Sequence, residues 1–207
     1  MKKIIIFASG TKDGGGSGFE NMVNASRGGV LNCKISAVVS NHENGGVRQR
    51  ADKLGIKFIH FLPPYTAERY KEITKDADLV CLSGWLKLVV GLNPQKTINI
   101  HPGPLPRFGG QGMYGHHVHE AVVEAYKAGT VTHSAVSMHF VTDEYDRGPL
   151  FFSKPVKISP NDTAETLAKK VIETEHKWQP IITEKVLMGE ISWDGKNPES
   201  LRGQIIK

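Results

Sequence analysis

The chain has 207 residues, 39% of them hydrophobic and 23% charged, which is enough apolar material for a globular core and too much for a disordered chain. Lysine and arginine number 26 against 21 aspartates and glutamates, a net charge of +5 that favours anionic ligands; the basic residues are scattered, so nucleic acid is not expected as a partner. No apolar run approaches the ~20 residues of a membrane helix, and the two distant cysteines, Cys33 and Cys81, exclude a disulfide framework and suit a reducing cytoplasm.

The opening MKKIIIFASG has the charge of a signal peptide, but Gly10 and Lys12 break its apolar run. It reads instead as a first strand over Lys3–Ser9, a continuous apolar run of the kind found in parallel sheets. Further strands are expected at Ile35–Ser40, Lys57–Phe61, Asp78–Ser83 and Thr97–His101. Helices fall between them, at Gly46–Leu54 with Gly55 as its stop and at Thr66–Lys75 with Thr66 as N-cap. Later in the chain, His116–Ala128 has Val118, Ala121, Val122 and Ala125 at helical spacing. Ser134–Val141 and Leu150–Ile158 read as an antiparallel pair across the turn TDEYDRGP. A long last helix follows, capped by Asn161 or Asp162. The alternation predicts an α/β fold with an open, mostly parallel twisted sheet and helices on both faces. No linker marks a boundary, so residues 1–207 are expected to form one domain.

Two stretches carry chemistry. The first strand runs into Ser9-Gly-Thr-Lys-Asp-Gly-Gly-Gly-Ser-Gly18, and a helix opens at Phe19. Glycines let backbone N–H groups approach an anion, and the helix N-terminus adds partial positive charge. No Gly-Lys-Ser/Thr closes the loop, and Phe19 stands where the dinucleotide fingerprint needs its third glycine. Phosphate binding competes here with a plain mobile loop; the position after the first strand of an open α/β sheet favours phosphate.

In Thr97-Ile-Asn-Ile-His-Pro-Gly-Pro-Leu-Pro-Arg107, period-two alternation puts Asn99 and His101 on one face at a strand's carboxyl end. An amide and an imidazole side by side suit an acyl-transfer site, where a carbonyl oxygen becomes anionic. A carboxylate beside His101 would raise the imidazole pKa and could take a proton from an attacking amine. The turn after the strand that carries His139 supplies Asp143, Glu144 and Asp146, and the residues alone do not choose between Asp143 and Asp146. The bland alternative is a solvated hairpin turn. His116, His117 and His119, with His101 and His139, raise a metal site, but no Asp, Glu or Cys set completes a ligand pattern and no metal is expected.

At NIHPGPLPRFGG (99–110), SMHFVTDEYDRGPLF (137–151) and TLAKKVIETEHKWQP (166–180), the chain resembles the 10-formyltetrahydrofolate-dependent formyltransferases, most of all the branch that formylates glycinamide ribonucleotide in purine biosynthesis. The likeness spans nearly the whole chain and implies a Rossmann-like formyltransferase fold. It implies Asn99, His101 and Asp146 as the catalytic set, which chooses Asp146 from its turn. It further implies substrate binding by Gly16, Ser17, Gly18, His139 and Glu175, and folate binding by Lys87, Leu88, Val89, Asp143, Glu144 and Tyr145. The folate is a co-substrate, and the partners are a phosphorylated amine and that folate, with the protein a monomer or homodimer. The chain departs from the family at Gly18, where asparagine is typical, at Lys87 for arginine and at Arg147 for glycine. Gln111–His117 is also unusual and reads as a lid hinged at Gly110, Gly112 and Gly115. Alternatives are another amine such as a nucleotide sugar, initiator tRNA, water as acceptor in a formyltetrahydrofolate hydrolase, or a non-catalytic folate- or phosphate-binding module; the chain length weighs against the tRNA and hydrolase readings, whose enzymes usually carry an added domain.

Overall fold

The structure, a computed structural model, describes residues 1–206. Eight strands form one sheet in the order β3-β2-β1-β4-β5-β6-β7-β8. They are β1 (Lys2–Phe7), β2 (Cys33–Ser40), β3 (Phe58–His60), β4 (Leu79–Ser83), β5 (Thr97–His101), β6 (His133–Phe140), β7 (Leu150–Lys157) and β8 (Ile205–Ile206). Strands β1 to β5 are mutually parallel; β6 runs against both β5 and β7, and β8 lies parallel to β7. Five helices accompany them: α1 (Ser17–Arg27), α2 (Gly46–Leu54), α3 (Ala67–Thr74), α4 (His116–Lys127) and α5 (Ala164–Leu187).

Strand alternation builds two cores. Ile4, Ile6, Val38, Cys81, Ile98 and Ile100 face Phe19, Val47, Val118, Val122, Leu167 and Val171 from α1, α2, α4 and α5. Ile5, Phe7, Ala37, Val39, Val80 and Leu82 face the other way, onto an aromatic group of Phe61, Tyr70 and Trp85 under α3. Fully burying each large aliphatic or aromatic side chain stabilises by about 1.5–3 kcal/mol, so both faces contribute and neither is free to move. Cys33 and Cys81 are buried and unpaired; burial pushes both thiols up, Cys33 to about 11.

The expected α/β sheet with helices on both faces and its antiparallel C-terminal half are what the fold shows. Thr97–His101 and Gly46–Leu54 agree residue for residue, and the ends of the other elements shift by at most two positions. The helix opening at Phe19 starts at Ser17. Thr66 sits at the N-cap of α3, but its hydroxyl caps no backbone N–H. The cap of α5 is Thr163, not Asn161 or Asp162: Thr163 accepts from the Thr166 N–H while the Thr166 hydroxyl accepts from the Thr163 N–H. Asp162 is engaged elsewhere, accepting from the Ser159 N–H at 2.7 Å and pairing with Lys170 at 2.6 Å.

That reciprocal cap satisfies two orphan donors of a helix that lines the site described next. Thr163→Ala is expected to cost about 1 kcal/mol and lower Tm by roughly 2–4 °C, read by thermal unfolding; no change would show that Asp162 alone secures the helix start.

Candidate active site

The strand order reverses between β1 and β4, and a cavity of about 670 Å³ opens beyond the carboxyl ends of these strands. Such a switch point is where open α/β sheets hold ligands. The cavity has two chemically different ends. At one lie Gly10, Thr11, Gly15, Gly16, Ser17 and Gly18; at the other, Asn99, His101 and Asp146. Glu175 from α5 and His119 from α4 line it as well.

At the first end, α1 starts with no side chain capping it, so the N–H groups of its first turn are left to a ligand or water. Arg50 stands beside the loop, but its Nε donates to the Gly15 carbonyl at 3.0 Å and it pairs with Glu20. The helix terminus itself supplies partial positive charge at the loop. His176 Nε2 lies 3.3 Å from Ser17 Oγ and holds that hydroxyl toward the helix start. A Cβ on Gly18 would collide with Ser83 Oγ. An asparagine there, typical of the resembling family, requires the Ser83 hydroxyl to turn aside.

At the second end, Asp146 has four partners. Its Oδ1 lies 3.3 Å from Asn99 Nδ2 and 3.3 Å from His139 Nε2; its Oδ2 lies 3.0 Å from the Gly110 N–H and 3.7 Å from His101 Nδ1. Asp146 is the one non-glycine residue at positive φ among the described residues, at 54°, a conformation aspartate tolerates better than most residues and that its side-chain bonds secure. The chain turns there because Gly148 packs so tightly on the Phe140 carbonyl that no Cβ fits. His139 Nδ1 is 2.7 Å from the Phe140 carbonyl and donates to it; its Nε2, 3.1 Å from Asn99 Nδ2 and 3.3 Å from Asp146 Oδ1, accepts from Asn99 when the ring is neutral and donates to Asp146 only when it is charged. His101 Nε2 likewise donates to the Phe108 carbonyl at 2.7 Å, which turns Nδ1 toward Asp146.

Burial opposes ionisation of Asp146, but His139, His101 when it is protonated, and the Gly110 N–H outweigh it and hold the carboxyl below its usual range. His101 goes the other way from the sequence expectation. Burial lowers its pKa more than Asp146 and the Phe108 carbonyl raise it, because the ring is only 3% exposed. The pair therefore rests as a carboxylate beside an imidazole that is mostly neutral at pH 7. The Asn99 amide nitrogen is also engaged at rest, 3.1 Å from His139 Nε2 and 3.3 Å from Asp146 Oδ1.

The proposed folate residues gather at a second, narrow cleft of about 40 Å³, lined by Lys87, Leu88, Val89, Glu144 and Tyr145 among others. It shares Trp85, Asn99, Tyr145 and Asp146 with the main cavity. Its wall is pinned from behind: Trp85 Nε1 donates to Tyr70 Oη at 3.1 Å, and Tyr70 donates to the Leu88 carbonyl at 2.9 Å. Asp143 does not line the cleft; its Oδ1 accepts from the Gly91 N–H at 3.0 Å and ties the two loops together. Arg147 is exposed. Met113 and Tyr114, from the unusual 111–117 stretch, line the main cavity.

The three helix histidines do not converge. His116 faces Glu120 and Glu165 at 3.4 and 3.5 Å, His117 faces Glu120 at 3.4 Å, and His119 turns inward. Among the described residues no group of three His, Cys, Asp or Glu side chains is placed to hold a metal, and no helix is long and apolar enough to cross a membrane. Sequence reasoning passed over Ser83 and Trp85 as cavity walls; their place after β4, at the switch point, was the available signal.

Glu175 lines the cavity with no hydrogen bond or ion pair among the described residues, and burial pushes its carboxyl up to about 8. A folded pKa above the ordinary value of 4.5 means the unfolded chain sheds a proton that the folded one keeps. Stability therefore falls as pH rises from about 4.5 to about 8. Glu175→Gln is expected to raise Tm at pH 8 by a few degrees and to leave it nearly unchanged near pH 4.5; an equal shift at both pH values would contradict a protonated Glu175.

A family model described as "Formyl transferase" matches residues 2–183. A chloroplastic phosphoribosylglycinamide formyltransferase of Arabidopsis thaliana is 33% identical over 206 residues, covering 93% of this chain and 68% of that protein. The phosphoribosylglycinamide formyltransferase of Bacillus subtilis is 29% identical, covering 90% of this chain and 95% of that one. Among solved structures, glycinamide ribonucleotide transformylase 1 from Symbiobacterium toebii superposes with a TM-score of 0.82 at 26% identity, covering 100% of this chain and 95% of that one.

Proposed function

The chain belongs to the formyl transferase family, and we propose that it moves the formyl group of 10-formyltetrahydrofolate to the primary amine of glycinamide ribonucleotide, a step of purine biosynthesis. The observation that carries this reading is the single cavity with an uncapped helix N-terminus at one end and Asn99, His101 and Asp146 at the other. A phosphorylated amine has that polarity: an anion to be held by backbone N–H groups and a nucleophile to be delivered some distance away.

In this reading the phosphate rests on Gly16, Ser17 and Gly18, with the Ser17 hydroxyl set by His176. Glu175 accepts from the sugar hydroxyls, which lowers its pKa from about 8 by supplying the donors it lacks at rest. The folate head enters the narrower cleft between Lys87–Val89 and Glu144–Tyr145, with Asp143 bracing that loop. The formyl carbon then sits beside Asn99.

The amine nitrogen attacks the formyl carbon, the carbon's bond to folate N10 breaks, and the amine's proton ends on N10. Asp146, a carboxylate at rest, takes that proton directly or through water and passes it on. Protonating Asp146 weakens its 3.3 Å hold on Asn99 Nδ2, so that N–H turns to the oxyanion as negative charge gathers there. His101 shares the load through the proton it exchanges with Asp146, and His139 fixes the Asn99 amide. We take the described residues as one catalytic unit.

Purified protein given both substrates is expected to release folate only when the amine is present; release without amine would mean water is the acceptor, and no release across a pH series would refute formyl transfer. Asp146→Asn should cut kcat by at least about 100-fold, the lower range for general acid–base catalysis, with folate affinity little changed. Equal loss of both would make Asp146 a structural residue.

A further inference from the structure

His119 is the buried titratable group that the mechanism above leaves unused. It is 4% exposed and lines the main cavity on the α4 side. Its Nδ1 is buried without a hydrogen-bond partner. Such an orphan is rare in folded proteins and needs a reason. Packing does not supply one, because a leucine or phenylalanine would fill the same space with no unpaired nitrogen.

The tautomer follows from the orphan. A buried N–H with no acceptor is less tolerated than an under-used lone pair, so the proton belongs on Nε2. That atom has no protein partner among the described residues and is not among the buried unpaired atoms, so it keeps accessible surface toward the cavity. Burial also lowers the ring's pKa to about 4, with His116 and His101 adding to the effect. The side chain is therefore a neutral donor throughout the physiological range, and it does not repel an approaching amine.

Position says what it would meet. Helix α5, which carries Glu175, packs between α1 and α4. Glu175 and His119 line the same cavity as the α1 N-terminus and the trio, and His119 is near enough to His101 for the charge of that ring to act on it. Resting on the acceptor assignment made above, we propose that His119 donates from Nε2 to the carbonyl oxygen of the amide that joins the acceptor's amine to its sugar. The contact makes His119 a specificity residue: it favours acceptors with a carbonyl next to the aminomethyl group over simple phosphorylated amines. It also stops rotation of the arm that carries the nucleophile.

The test compares two acceptors, glycinamide ribonucleotide and an analogue with a methylene in place of that carbonyl, on wild type, His119→Phe and His119→Gln. With the natural acceptor, His119→Phe should raise KM roughly tenfold, the order expected when a substrate carbonyl loses its only donor, while KM for the folate stays unchanged. His119→Gln, whose amide nitrogen reaches the place of Nε2, should restore most of the loss. The methylene analogue should bind wild type and His119→Phe equally. A natural-acceptor KM unaffected by His119→Phe, or an equal loss with the analogue, would overturn the proposal. If His119→Phe does not fold, the wild-type protein decides: it must bind the natural acceptor more tightly than the analogue, and equal affinity refutes the contact. Wild type that forms no product with glycinamide ribonucleotide would refute the acceptor assignment instead, a result distinguishable from either.

Discussion

A carboxylate with only 12% of its side chain exposed must be fully bonded or it will take up a proton. Asp146 has such partners: the Asn99 amide and the Gly110 N–H donate to it, and the His139 and His101 rings lie 3.3 and 3.7 Å away. The local architecture serves that requirement. The antiparallel pairing of β5 with β6 sets Asn99 opposite His139. The Gly148 turn lets the chain swing back beneath the Phe140 carbonyl, and the left-handed backbone at Asp146 aims its carboxyl at both. Gly109 and Gly110 bring the loop after β5 over the top, where any side chain at Gly109 would strike Asp146 and Leu105. Removing one partner leaves the others with unmatched polar groups, so the set acts as a unit.

The resting charges follow from the same burial. Asp146 stays ionised because donors surround it, whereas His101, His119 and Glu175 lose their charge because the cavity desolvates them more than their neighbours compensate. The cavity thus holds one reliable negative charge at the reacting end and a helix N-terminus at the other. Low charge between them lets a ligand carrying both an anion and an amine choose its orientation by its ends.

Much of this was legible in the sequence where periodicity or glycine speaks locally. Ile98 and Ile100 alternate with Asn99 and His101, so β5 and the shared face of the two polar residues could be read directly, as could Gly55 closing α2. The rest depends on contacts between residues far apart in sequence. Asp143 and Asp146 look alike in their turn; only the fold sends one to Gly91 and the other to the buried trio. Asp162 reads as a helix cap until Lys170 engages it. The His101 pKa turns on burial, which a neighbouring carboxylate in the sequence does not reveal. Strand β8 is two residues long and has no pattern to find. At Gly18, where the chain departs from the resembling family, the neighbour that the sequence does not reveal is the Ser83 hydroxyl.

In the proposed reaction one molecule spans the cavity from the α1 N-terminus to the trio. The most direct measurement is a crystal structure with glycinamide ribonucleotide and a folate analogue that cannot give up its formyl group. The phosphate should lie on the N–H groups of Ser17 to Phe19, and the amine nitrogen about 3–3.5 Å from the carbon mimicking the formyl group, a near-attack distance, on the side of Asp146. A phosphate bound away from α1, or an amine that does not reach the trio while the phosphate is in place, would contradict it.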